Sequence, residues 1–121
     1  MKFLTRWLGV EAPGSRIGLR IARDFTYLGT RPAALHLTAE AVALALGANI
    51  EFRDDEQGII ECSFGLIEQR ERLRFEITAI DATAMQIHAE ASFPAVRHAP
   101  NESRALDAVT AYFVARGGVA R

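Results

Sequence analysis

The chain has 121 residues, of which 50% are hydrophobic and 24% charged, and its formal net charge is -1. That length fits one domain with a single core burying roughly two-thirds of its unfolded surface. The balance excludes a disordered chain and gives no global pull toward nucleic acid or an anionic membrane.

One cysteine, Cys62, leaves no intramolecular disulfide, so a reducing, cytoplasmic setting is expected. Met1 to Val10 sets a single Lys2 before a short apolar stretch broken by Arg6, a poor match to a signal peptide. No run approaches the roughly eighteen apolar residues of a membrane span.

Phe3, Leu4, Trp7 and Leu8 share the face of a short helical turn, which Pro13, Gly14 and Ser15 break. Residues 1–15 therefore read as an apolar turn and linker, 16–116 as one domain and 117–121 as a flexible tail. Ile17, Leu19 and Ile21 alternate with polar or small residues, the period of a half-buried strand. Asp24 to Pro32 reads as a connection.

Between Ala33 and Leu46 two readings compete. Leu35 and Leu37 alternate like a strand, whereas Thr38 is a suitable cap for a helix starting at Ala39, the reading favoured here. Val42, Ala43 and Leu46 fall on one helical face, and Gly47 with Asn49 supplies the stop.

Four short alternating segments follow. Ile50 and Phe52 lead into a turn over Asp54 to Gly58, where glycine accepts positive φ at little cost. Ile60, Cys62 and Phe64 oppose Glu61 and Ser63. Leu73, Phe75, Ile77 and Ala79 oppose Arg72, Arg74, Glu76 and Thr78. After a turn at Asp81 to Ala84, Met85, Ile87, Ala89, Ala91 and Phe93 oppose Gln86, His88, Glu90 and Ser92. One sheet face is apolar and the other charged. Pairing Ala79 with Met85 sets Glu76 opposite His88 and Arg74 opposite Glu90, and a similar register sets Glu61 beside Arg74. After a loop over Pro94 to Pro100, Asn101 or Ser103 caps a last helix to about Arg116, with Leu106, Val109 and Phe113 as its buried stripe.

The β-α-β4-α order predicts an α+β two-layer sandwich, one antiparallel sheet of about five strands with a long C-terminal helix across its apolar face. In order of elements this resembles the helix-grip domains of the START type and each half of the TATA-binding protein. No motif carries the likeness, and function does not follow from it.

Small residues on the apolar face (Cys62, Ala79, Ala89, Ala91) meet a helix carrying Ala105, Ala108 and Ala111. Either the helix approaches closely, or phenylalanines hold it off and leave a cavity for a small apolar molecule. That cavity would be lined by Phe75, Ile77, Ile87, Ala89, Val109 and Phe113. The alternative function is docking of a protein partner or a second copy of the chain through Phe3, Leu4, Trp7 and Leu8.

Catalysis on a hydrophobic substrate in the same cavity ranks last, because the sequence shows no nucleophile with its base, metal cluster or phosphate-cradling loop, and no cofactor is expected. His88 with Glu76 and Glu90 is the best acid/base group, but the parity puts it on the open face. Arg70, Arg72 and Arg74 form a basic row that acidic neighbours largely cancel. His36 and Glu40 meet one helical turn apart only if the helix begins early. Cys62, on the apolar face, reads as an inert buried thiol.

Overall fold

A computed structural model describes residues 20–65, 70–93 and 103–120. It shows an α+β domain with two helices and one antiparallel sheet of strands β1 (Arg20–Leu28), β2 (Ile50–Asp54), β3 (Ile59–Phe64), β4 (Glu71–Ala79), β5 (Ala84–Ser92) and β6 (Val119–Ala120), in the order β2-β3-β4-β5-β1-β6.

Strand β1, Arg20–Leu28, overturns the connection expected from Asp24 onward. It pairs with β5 along its whole length, from Arg20 opposite Ser92 to Leu28 opposite Ala84. Its polar residues blur the alternation because they have tertiary partners: Asp24 meets His88, and Arg23 reaches over to the last helix. Ile21 belongs to the strand as expected, while Ile17 and Leu19 lie outside the described residues.

Helix α1, Arg31–Glu40, begins earlier than expected. Its cap is Thr30, whose side chain accepts from the Ala33 N–H at 3.3 Å, with Pro32 in the first turn where its missing N–H costs nothing. Thr38, the expected cap, is instead buried within the helix and donates its hydroxyl to the Ala34 carbonyl at 2.8 Å. The helix widens into a π-helical turn, Ala41–Ala45, where the Leu46 N–H returns to the Ala41 carbonyl. Val42 and Leu46 are buried but Ala43 is exposed, so it leaves the face on which it was expected. Gly47, at φ +62°, ends the segment.

Strands β2, Ile50–Asp54, and β3, Ile59–Phe64, are joined by the expected turn. Asp54 holds that turn by accepting the Gln57 N–H on its side chain and the Gly58 N–H on its carbonyl. Strands β4, Glu71–Ala79, and β5, Ala84–Ser92, complete the central pairing in the expected register, with Arg74 opposite Glu90, Glu76 opposite His88, Ala79 opposite Met85, and Glu61 opposite Arg74. In the turn between them Asp81 accepts the Thr83 N–H and hydroxyl, which holds its carboxyl below the ordinary range.

Helix α2, Arg104–Ala115, is capped by Ser103, which accepts the Leu106 N–H at 3.0 Å. At its other end Gly117 takes φ +92°, and the N–H groups of Gly117 and Gly118 return to the carbonyls of Val114 and Phe113, satisfying the last turn. Val119–Ala120, within the stretch expected to be a loose tail, form β6 and pair with Thr26 and Phe25. Residues 94–102, including the expected loop and Asn101, fall outside the described residues.

Both helices contribute to one core with the inner face of the sheet. It runs from Ala34, Leu35, Val42 and Leu46 through Cys62, Leu73, Phe75, Ile77, Ile87, Ala89 and Ala91 to Leu106, Val109 and Phe113.

Candidate functional site

The residues expected to line a cavity do come together. Phe75, Ile77, Ile87, Ala89, Val109 and Phe113 belong to one buried cluster, and each has 0% of its surface open to solvent. In this structure a water-sized sphere does not reach them. The alternation of β3 to β5 and the stripe on α2 made them visible in sequence, but Phe25 was missed because it lies in the segment read as a connection. Phe25 meets Phe113 edge to face, with ring centres 4.9 Å apart at 84°.

Cys62 lies in the same layer. Burial first, and then the nearby charge of Glu51, push its thiol up to about 12. It stays protonated at neutral pH and is a packing group, not a nucleophile.

The outer face is less open than its alternation suggests. Glu61 and Arg74 are only 1% and 5% exposed, so the charge-paired surface expected to be solvated is buried at its centre. Arg74 reaches Glu61 at 3.4 Å and Glu76 at 3.8 Å, and Arg20 reaches Glu90 at 3.8 Å. Ile59 is buried on the same face, opposite Glu76. Alternation reports parity, and cannot by itself report how deeply a polar face is covered. Arg72 is half-buried and Arg70 exposed.

His88 is paired with Asp24 at 2.6 Å, not with the carboxylates assigned to it from sequence. Both side chains are nearly two-fifths exposed, and Glu76 on β4 stands opposite His88. An Asp beside Nδ1 fixes the orientation of the ring, which a proton carrier uses and which a structural pair needs equally. His36 does meet Glu40, at 2.9 Å on an exposed helix edge, because α1 starts early. No group of three or more metal-ligating side chains gathers among the described residues. His98 and the apolar group of Phe3, Leu4, Trp7 and Leu8 lie outside them.

A shallow polar cleft of about 320 Å³ opens where the π-helical turn meets the ends of β2 and β3. Leu46, Asn49, Glu51, Ser63, Phe64 and Arg70 are among its walls. Within it the Ser63 hydroxyl donates to Glu51 at 3.2 Å.

Among the described residues three polar attachments fasten α2 over the inner layer. At its start, buried Glu71 accepts the Ser103 hydroxyl and the Ala105 N–H. At its middle, Arg23 crosses from β1 to donate to Thr110 at 2.9 Å and Asp107 at 2.6 Å. Near its end, the Tyr112 hydroxyl donates to Glu40 at 3.0 Å, while Arg116 lies 3.6 Å over the Tyr112 ring. Partial desolvation, followed by the bond to Glu40, holds the Tyr112 hydroxyl above its ordinary value. Sequence reading found Ser103 but not Glu71, Arg23 or Tyr112, whose partners lie between 32 and 87 positions away along the chain.

Among the described residues no helix is long and apolar enough to cross a membrane. Set against known proteins, the sequence matches no family model and no curated protein.

Proposed function

We propose that the domain is a binding module without catalysis, taking a small apolar molecule between the sheet and α2. The observation that supports this most is the make-up of the inner layer. Cys62, Ala89 and Ala91 on the sheet and Ala105 on α2 are small, and Phe25, Phe75 and Phe113 belong to the same cluster. A modest outward shift of α2 would uncover a continuous apolar strip, the setting in which small-molecule sites are built. The β-α-β4-α run, which β6 extends, and the place of β1 beside β5 support a likeness to helix-grip domains in the order of elements alone. The buried thiol of Cys62 and the solvent-facing pair of His88 and Asp24 favour binding over bond chemistry.

The test is a native mass spectrum of the protein purified from its own host. A small mass retained on the monomer is the expected result; a monomer carrying none, with none taken up from a lipid extract, would sink the proposal.

A second reading, assembly through an apolar surface, draws on Leu28 and Ile80, which are 74% and 47% exposed. Both flank Ala84 at one end of the sheet: Leu28 pairs with it, and the Ile80 N–H bonds its carbonyl. A dimer in the same spectrum, lost on Leu28→Ser with Ile80→Ser, would favour this reading. A dimer lost instead on Trp7→Ser with Leu8→Ser would assign the contact to the N-terminal group.

A further inference from the structure

The attachments of α2 differ in kind. The first is sealed: Ser103 is fully buried, Glu71 nearly so, and the Ser103 hydroxyl both donates to Glu71 and accepts the Leu106 N–H. Breaking it would strand a carboxylate and a helix terminus away from water, which is costly. The other two lie at the surface. Asp107 is about half exposed, Arg23 about a third and Glu40 two-fifths, so water can take over each partner as it lets go. Beyond α2, Gly117 and Gly118 form a glycine joint, and Val119 and Ala120 then pair with β1.

We infer that α2 is a lid, hinged at the buried contact of Ser103 with Glu71 and held shut by its buried stripe together with the surface ties of Arg23 to Asp107 and Thr110 and of Tyr112 to Glu40. Its C-terminal two-thirds lifts, bending at Gly117 and Gly118, and uncovers Phe25, Ala89 and the inner side of Phe113. This accounts for an inner layer closed to a water-sized sphere in a module that takes up an apolar molecule, and so it rests on the binding function proposed above. The buried stripe of Leu106, Val109 and Phe113 opposes the lift, so the open form is a minor state, and the two exposed ties set how rarely it is visited.

The experiment is amide hydrogen exchange on the full chain, comparing wild type with Arg23→Met plus Tyr112→Phe. That variant cuts both surface ties and keeps side chains of similar length. Exchange at Val109 to Ala115 should rise about tenfold while β3, β4 and β5 keep their protection. Unchanged exchange in α2, or a rise shared equally by the sheet, would overturn the lid. The binding rate of 1-anilinonaphthalene-8-sulfonate, measured by stopped flow on the same two proteins, separates the two proposals. Faster binding to the variant is the expected result. A lid that opens without binding the dye would overturn the apolar-ligand function and leave the lid standing. Dye binding at one rate in both proteins would overturn the lid and leave the function standing.

Discussion

Asp24 on β1 and His88 on β5 stand directly opposite each other, and their side chains meet at 2.6 Å on the outer face of the sheet. Each is 38% exposed, so water competes with the contact and screens it. Cross-strand pairs of this kind contribute roughly 0.2–1 kcal/mol. A double-mutant cycle with Asp24→Ala and His88→Ala, followed by urea unfolding at pH 7, should give a coupling energy below about 1 kcal/mol. A coupling several times larger would mean that the pair is shielded and would reopen its candidacy as an acid/base group.

Gly58 answers two demands at once. Its φ is +74°, and a Cβ there would lie 2.5 Å from the Ile77 carbonyl oxygen, which belongs to the neighbouring strand and cannot step aside. The approach is needed because the Gly58 carbonyl accepts the Ile77 N–H at 2.8 Å, extending the contact of the β2–β3 turn onto β4. Gly58→Ala should therefore destabilise the domain by about 2 kcal/mol or more, summing a strained backbone and a displaced strand. Gly47→Ala is the control. Its φ is also positive, but nothing lies within 4 Å of the added carbon, so its loss should be the smaller of the two. Equal losses in urea denaturation would show that the contact with Ile77 contributes nothing.

The sequence carried the register of β3, β4 and β5 because each segment keeps strict alternation between clear turn residues, and a slip by one would turn every apolar side chain outward. It carried Ser103 and the stripe of Leu106, Val109 and Phe113 for a similar reason, since caps and helical faces are local signals. It failed at β1 and the start of α1, where the deciding partners are distant. Arg23 and Asp24 look like loop residues until Asp107 and His88 are brought beside them. Thr30 lies in the segment read as a connection, yet it caps α1, and Pro32, where that segment was read to end, sits in the first turn of the helix. The candidate lining was legible by parity. The ties that close α2 over it were not, because they join elements far apart in the chain.

Cys62 offers a test of the closed inner layer through pH. Its usual thiol value is 9.0, and burial raises it to about 12 in the folded chain. The folded state thus holds its proton where the unfolded state gives it up. The corresponding stability is fully present below pH 9 and is lost as pH rises toward 12, at about 1.4 kcal/mol per pH unit. Cys62→Ala should remove that slope, so the difference in stability between the two proteins should narrow between pH 9 and pH 11. In the native protein the thiol should also resist a disulfide reagent at pH 8 and react on unfolding in urea. Rapid reaction without denaturant would show that the layer opens readily near β3, far from the proposed C-terminal edge of the lid.

Phe113 decides between a tightly filled layer and one with room to spare. It is fully buried and set edge-on against Phe25. In a close-packed interior, Phe113→Ala should cost about 3–5 kcal/mol, because the transfer energy of the ring and the cavity left behind add together. Phe113→Leu, which restores most of the volume but not the ring contact, should recover all but about 1.5 kcal/mol of that loss. These values would be read from urea midpoints at constant slope, so that the unfolded state is held fixed. A Phe113→Ala loss near 1 kcal/mol would mean that α2 settles onto the sheet once the ring is gone. That outcome would show room to spare in the layer. The full loss would show a filled one, in which the lid opens only as a minor state whose rarity the surface ties of Arg23 and Tyr112 help to set.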